Sequence, residues 1–410
     1  MNKKSSNCQF GKFDITPKFN TELYPLDGVK HTTKAFTSRL ECNFIIFEVS
    51  RTALFFLLSL DLIWINKRIK NSIQVGLEKK LKKEIQLVIT TTHTHASPNI
   101  STDNLNSGDV KYEEFLVNEI IAFFNHHHLC YKTCKVSSKK IRTDFSVSRR
   151  KKVLTLLNLL KFNWKGNYRN RPNYKTKIYE FLSVFKFFDE QDELIGILIN
   201  YPSHPTLYRE SMFDSDFPGS IRRQVNDFFD KEIPILFLQG FSGDIKPNIT
   251  ENLCKKSFKN LLNFPDCISF KKKHLPEEIN NFSQKISNHV ITENGNSEKQ
   301  MIYASNKEDI LKIKIKDTSY EVNISLFKLN NELKFLCFGA EVLNSIEYLI
   351  RKKDAPFFLV SCANGMFGYI YDSNKIPEGG YEIDRANQDF GIVPGYFLVE
   401  ENLNSLISRL

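Results

Sequence analysis

The feature that most constrains this chain is an apolar run, a helical segment and a second apolar run in direct succession. Residues 53–65 read as a strand, residues 71–83 carry Ile73, Val75, Leu77 and Leu81 at helical spacing with lysines outward, and residues 86–92 return as a β-branched strand. Strand, helix, strand implies a crossover and therefore parallel pairing. Upstream, residues 10–17 and 42–49 add two strands, and a helix is expected over 111–129. Downstream, 177–189 with 193–201 reads as a hairpin-like pair, 220–229 as a helix and 234–239 as a buried strand. Residues 312–329 and 333–338 read as antiparallel strands, 342–351 as a helix, 357–362 as a last core strand and 396–409 as a terminal helix. The expectation is an α/β fold, a mixed and parallel β-sheet core flanked by helices, in one domain over 1–410. The polar stretch 250–310 is expected as a peripheral insertion, and the basic stretch 135–173, ending in Asn167 to Pro172, as a loop by composition.

A net charge of +10 raises the question of a nucleic acid, but the excess is dispersed. Runs such as Arg149-Arg150-Lys151-Lys152 and Lys271-Lys272-Lys273 read as solvated loop or helix faces, with no binding motif beside them, so no nucleic-acid partner is expected. The 12-residue apolar run at 54–65 contains Asp61 and is too short to span a bilayer, although peripheral membrane contact is left open. Eight cysteines show no CxxC spacing and are expected to be reduced, mostly buried thiols. The basic N-terminus lacks the apolar segment of a secretory signal, so a cytoplasmic protein is expected.

Chemistry-bearing residues gather where strands end, the usual place for sites in α/β sheets. His93 and His95 follow the strand 86–92, and in an extended chain both would point to one face. His204 follows 193–201, Asp244 follows 234–239, Glu341 follows 333–338, and Tyr369 comes shortly after 357–362. Each alone has a plain structural reading: a turn histidine before proline, a turn aspartate, a helix-start glutamate. Together, imidazoles and a carboxylate form the nitrogen-and-oxygen donor set of a catalytic zinc site.

An ordered series of motifs runs along the chain: FDITP (13–17), THTHASP (92–98), NYPSHP (200–205), SDFPG (215–219), LQGFSGDIKPN (238–248), GAE (339–341) and NGMFGYIY followed by EGGYE (364–382). In this series the chain resembles the neutral (non-lysosomal) ceramidases and their bacterial relatives, zinc-dependent amide hydrolases. The resemblance implies one Zn²⁺ held by His93, His204, Glu341 and Tyr369. It implies His95 as a proton relay, and Tyr381, 12 residues beyond Tyr369, as a group near the substrate carbonyl. It further implies a substrate-holding arginine, best matched by Arg171 with Arg169 two residues away. Asp244 is assigned either to orienting an imidazole or to a turn. The family's serine in its GD-x-S-P motif is here Lys246, which removes ceramide as the implied substrate; the lysine reads as a solvated loop residue or, near the metal, as a hint of an anionic substrate. The longer members' C-terminal β-sandwich is not expected in this chain. The activity implied is cleavage of an N-acylated amine or lipid-like molecule. The alternatives are a hydrolase or acyl transferase of another bond at the same centre, or a non-catalytic lipid- or partner-binding relative.

Overall fold

The computed structural model describes residues 7–25, 28–160, 162, 166–255, 262–292, 300–351 and 357–409. The start of the N-terminal basic segment and part of 250–310 therefore lie outside the described residues. The fold is mixed α/β. One five-stranded sheet has the spatial order Glu84–Thr91, Ala53–Leu60, Glu41–Glu48, Asn7–Asp14, Lys132–Thr133. Its first two strands pair in parallel and are bridged by the helix Lys67–Leu81, as the crossover argument requires. The helix starts at Asn66, whose side chain accepts from the Ile69 amide, and ends at Lys82 in a left-handed conformation.

Alternation divides the apolar strands between two cores. Leu54, Phe56 and Leu58 of Ala53–Leu60 face one side with the helices Lys67–Leu81 and Val110–His126. Phe55 and Leu57 face the other, meeting Phe185, Phe187, Leu198, Leu236 and Leu238 of a second five-stranded sheet. That second sheet runs Ile235–Gln239, Leu194–Tyr201, Phe181–Phe188, Lys135–Arg142, Gln300–Met301. Its far face, with Ile197, Ile199 and Phe237, packs on the helices Asp216–Phe229 and Pro276–Thr292. The layers are helix, sheet, sheet, helix, and each fully buried Leu or Phe contributes roughly 1.5–3 kcal/mol. Asp61 ends the apolar run because it is wholly buried in an ion pair with Arg222 of Asp216–Phe229 and accepts the Glu41 amide at 2.9 Å.

Four expectations need correction. First, residues 135–173 are not a loop: Lys135–Arg142, Ser146–Val153 and Asn167–Asn173 are strands, the last two paired antiparallel. Their polar composition hid them: Asn167–Asn173 is largely exposed, and Ser146–Val153 buries Arg149 and Arg150 by ion pairing. Second, residues 312–329 are not one strand but the hairpin Ser305–Ile315 and Thr318–Lys328, which joins Lys334–Phe338 and Phe357–Val360 in a four-stranded sheet. Third, Arg149 and Arg150 are buried, not solvated, with the carboxylate of Glu382 between them. Fourth, the thiols are not all reduced: Cys8–Cys134 and Cys254–Cys267 are disulfides, while Cys42, Cys130, Cys337 and Cys362 are free. Among the described residues no helix is long and apolar enough to cross a membrane.

Candidate metal centre

The strand Glu84–Thr91 ends just short of the two histidines, and His93 takes a left-handed turn, φ 65°. The expected strand alternation therefore does not bring His93 and His95 together. The turn does, fixed by the His93 amide donating to the Leu62 carbonyl and the His95 amide to that of Pro205. His204 lies on the segment after Leu194–Tyr201, the strand paired in parallel with Ile235–Gln239. Glu341 sits on the short strand Glu341–Val342, which pairs in parallel with Tyr369–Ile370 so that Glu341 and Tyr369 are register partners. Four chain segments thus converge at one end of the sheets.

The hydrogen bonds fix the state of the two inner imidazoles. His93 Nδ1 lies 2.7 Å from the Ile63 carbonyl, and His204 Nδ1 lies 3.0 Å from that of Ser242. A carbonyl only accepts, so each Nδ1 carries a proton, and it is Nε2 that each ring turns towards the other. Those two Nε2 atoms are 3.1 Å apart. Glu341 Oε2 is 3.4 Å from the first and 3.6 Å from the second, is buried, and has no hydrogen-bond partner. Two imidazole nitrogens and a carboxylate oxygen at this spacing repel unless a positive charge, a proton or a metal ion, lies among them. Donor atoms about 2.0–2.2 Å from a tetrahedral ion lie roughly 3.3–3.6 Å from one another. The residues fit a divalent metal.

The electrostatics carry the same message. Burial pushes His93 towards the neutral form, but the neighbouring Cys362 sulfur and the Glu341 carboxylate outweigh it and raise its pKa well above the ordinary value. His204 moves the opposite way, lowered by burial and then by Arg149 and the other two histidines. The pocket thus attracts one positive charge and rejects a second proton.

His95 completes a group of three imidazoles, with His93 and His204, whose ligand atoms all lie within 4.8 Å. It differs from the other two in lining an open cleft of about 670 Å³ and in having a buried Nε2 with no partner. Burial, then the charges of His93, Lys246, Arg149 and Arg209, hold it well below its ordinary pKa, so it is a neutral base. The tighter trio is His93, His204 and Glu341, which leaves His95 facing the cleft.

Tyr369 is buried beside Glu341, and Arg149 Nη2 donates to its hydroxyl at 3.1 Å. Tyr381 lines the cleft with its ring centroid 6.1 Å from that of Tyr369 and its hydroxyl donating to Asp389. Burial, followed by Tyr24 and Glu341, raises the Tyr381 pKa, so it remains a protonated donor. Arg171 does not reach the cleft: after Asn170 the strand register shifts, and Arg171 donates to Ser269 at 2.7 Å. Arg169, on the other side of Asn170, does line it. Asp244 does not touch an imidazole. Its carboxylate accepts the Asn344 amide at 2.8 Å, at the start of the helix Asn344–Arg351, and the Ser242 carbonyl orients His204 instead.

Sequence reasoning missed two clusters. Arg149 donates from Nε to Glu382 Oε1 at 2.8 Å while holding Tyr369, and Arg150 donates to Glu382 Oε2 at 2.6 Å. Burial alone would raise Glu382, but the two guanidiniums outweigh it and keep the carboxylate below its ordinary range. The signal available was Glu382 in the YE pair, a carboxylate inside a motif otherwise made of glycine and tyrosine. Tyr24, Trp64 and Phe390 form an aromatic wall, with centroids 5.2 Å and 5.3 Å apart along the row, and Tyr24 lies edge-on to His95 at 5.3 Å. Nothing in the chain order marked these as neighbours.

No family model and no curated protein matches the chain. Its fold is shared by solved structures. A neutral ceramidase from Pseudomonas aeruginosa superposes with a TM-score of 0.68 at 14% identity, over 93% of this chain and 71% of that one. A structure titled "Ceramidase complexed with C2" superposes with a TM-score of 0.67 at 14% identity, over 92% of this chain and 71% of that one. The fold is ceramidase-like.

Proposed function

We propose that this protein is a zinc-dependent hydrolase that cleaves an N-acyl bond of a lipid-like amide. The observation that carries the reading is the convergence of His93 Nε2, His204 Nε2 and Glu341 Oε2 within 3.1–3.6 Å, the spacing of donors that share one metal ion. A zinc ion held by these three, with Tyr369 beside Glu341 as the fourth ligand, would polarise the scissile carbonyl and lower the pKa of a water molecule to about 7.

The chain's own residues then divide the remaining work. His95, neutral and open to the cleft, takes the proton of the attacking water at Nε2 and returns it to the leaving amine, a role that contributes about 10²–10⁴-fold. Tyr381 turns its O–H from Asp389 to the oxygen on which negative charge develops, worth about 2.7–4 kcal/mol for such a donor. Arg149 keeps the Tyr369 hydroxyl in place and is itself held by Glu382, so in this reading it replaces Arg171 as the arginine that matters. Asp244 acts by anchoring the start of the helix that follows Glu341. The aromatic row Tyr24, Trp64, Phe390 suits an apolar acyl chain. Ceramide is not part of the reading, because Lys246 stands where the family serine would. The two disulfides favour an oxidising compartment over the cytoplasm expected from the sequence.

The test is hydrolysis of a panel of N-acyl amines by zinc-loaded and metal-stripped protein, followed by mass spectrometry. Zinc-dependent release of a fatty acid is expected. His95→Ala should lower kcat by roughly 10²–10⁴-fold while leaving bound zinc unchanged. If zinc-loaded protein cleaves no member of the panel, the hydrolase reading falls.

A further inference from the structure

The cleft has two unlike walls. One is the aromatic row Tyr24, Trp64 and Phe390, continued by Leu105 and Pro25. The other is built from the paired strands Ser146–Val153 and Asn167–Asn173, and presents Arg150, Tyr168 and Arg169. The guanidinium of Arg150 stacks 5.5 Å from the centre of the Tyr168 ring and is engaged by Glu382 and Glu378. Arg169, next along the strand, is exposed in the cleft. Arg209 lines the same cleft from the segment after His204, and its charge, with that of Lys246, is felt at His95. The remaining charges lining the cleft are Arg149, paired with Glu382, Lys30, paired with Glu22, and Asp389, which accepts from Tyr381. Arg150 is thus answered within its own wall, whereas Arg169 presents its charge to the cleft.

We propose that the substrate carries an anionic group, a carboxylate or a phosphate, at the end away from its apolar chain, and that Arg169 and Arg209 select it. This rests on the amide-hydrolase reading for the cleavable bond, but not for the charge preference. An arginine fork suits both anions, since each offers two oxygens in one plane. Arg169 and Arg209 are specificity residues here, outside the metal and proton-transfer machinery.

Three amides of one chain length separate the cases: N-dodecanoylglycine with its carboxylate, the O-phosphate of N-dodecanoylethanolamine, and neutral N-dodecanoylethanolamine. Equilibrium dialysis of zinc-loaded protein, read by mass spectrometry, counts retained amide and released dodecanoate separately. One of the anionic amides should be retained roughly 10-fold or more better than the neutral one at low salt, and which of the two leads identifies the group. The preference should collapse in Arg169→Gln/Arg209→Gln and at about 1 M salt, where the screening length is near 3 Å. Unchanged retention of the neutral amide by the double variant shows that it is folded. Equal retention of all three by the wild type, no retention of any, or a preference that survives the double substitution would overturn the proposal. A preference without released dodecanoate would leave it standing and count instead against the hydrolase reading.

Discussion

Ala53–Leu60 and Ser146–Val153 are both eight-residue strands, and both are buried along nearly their whole length. The first, ALFFLLSL, is buried by what it lacks, since it offers almost no side chain that water would hold back. The second, SVSRRKKV, is buried by pairing: Arg149 and Arg150 close on Glu382, a residue more than two hundred positions later. An apolar strand can be packed by many partners of the right volume. A strand carrying two buried cations tolerates only the partner that neutralises them. The sheet interior is therefore robust, and the wall of the cleft is specific.

That contrast can be broken at several points. The largest effect is expected where the buried cations lose their counter-charge. Glu382→Gln should cost about 3–5 kcal/mol of unfolding free energy in urea, because Arg149 stays buried without a carboxylate and Arg150 keeps only that of Glu378. A loss below about 1 kcal/mol would mean that water reaches them. The sign of the pH effect follows from the depressed pKa of Glu382. Its contribution is full above the ordinary glutamate range and is lost as pH falls through the folded-state value, so the variant should flatten the acid limb of the stability curve. Next comes Leu57→Ala in the apolar strand, expected to cost about 2–5 kcal/mol through transfer and cavity terms, with no pH dependence. The smallest effect belongs to Lys152→Gln, in the same basic run as Arg149 but exposed, which should change stability by less than about 0.5 kcal/mol. Equal effects at Lys152 and Glu382 would abolish the distinction.

The same contrast explains what could be read in the sequence. The crossover, the apolar strands and the helices followed from periodicity, because their burial is local and chemical pattern alone encodes it. His93, His204 and Glu341 were legible as donors at strand ends and in the motifs that carried the family resemblance, and the fold places all three together. The turn that aims His93 was not, since nothing at Thr91-Thr92-His93 announces a left-handed residue. Arg149, Arg150 and the strands of 135–173 were misread as solvated because a charge looks alike whether water or Glu382 answers it. Arg171 was assigned by motif, but the register shift after Asn170 turns it towards Ser269, and such a shift leaves no mark in the local sequence. Asp244 stands next to the right loop yet serves a helix start, a distinction that only the distance to the Asn344 amide makes.

Everything functional depends on two imidazoles and one carboxylate sharing a cation. Metal analysis of protein loaded with zinc and then dialysed tests this directly, without assuming any substrate. About one zinc per chain is expected in the wild type, lost in His93→Ala and in Glu341→Gln and retained in His95→Ala. A wild-type protein that emerges without metal, or a Glu341→Gln variant that keeps its zinc in full, would contradict the account.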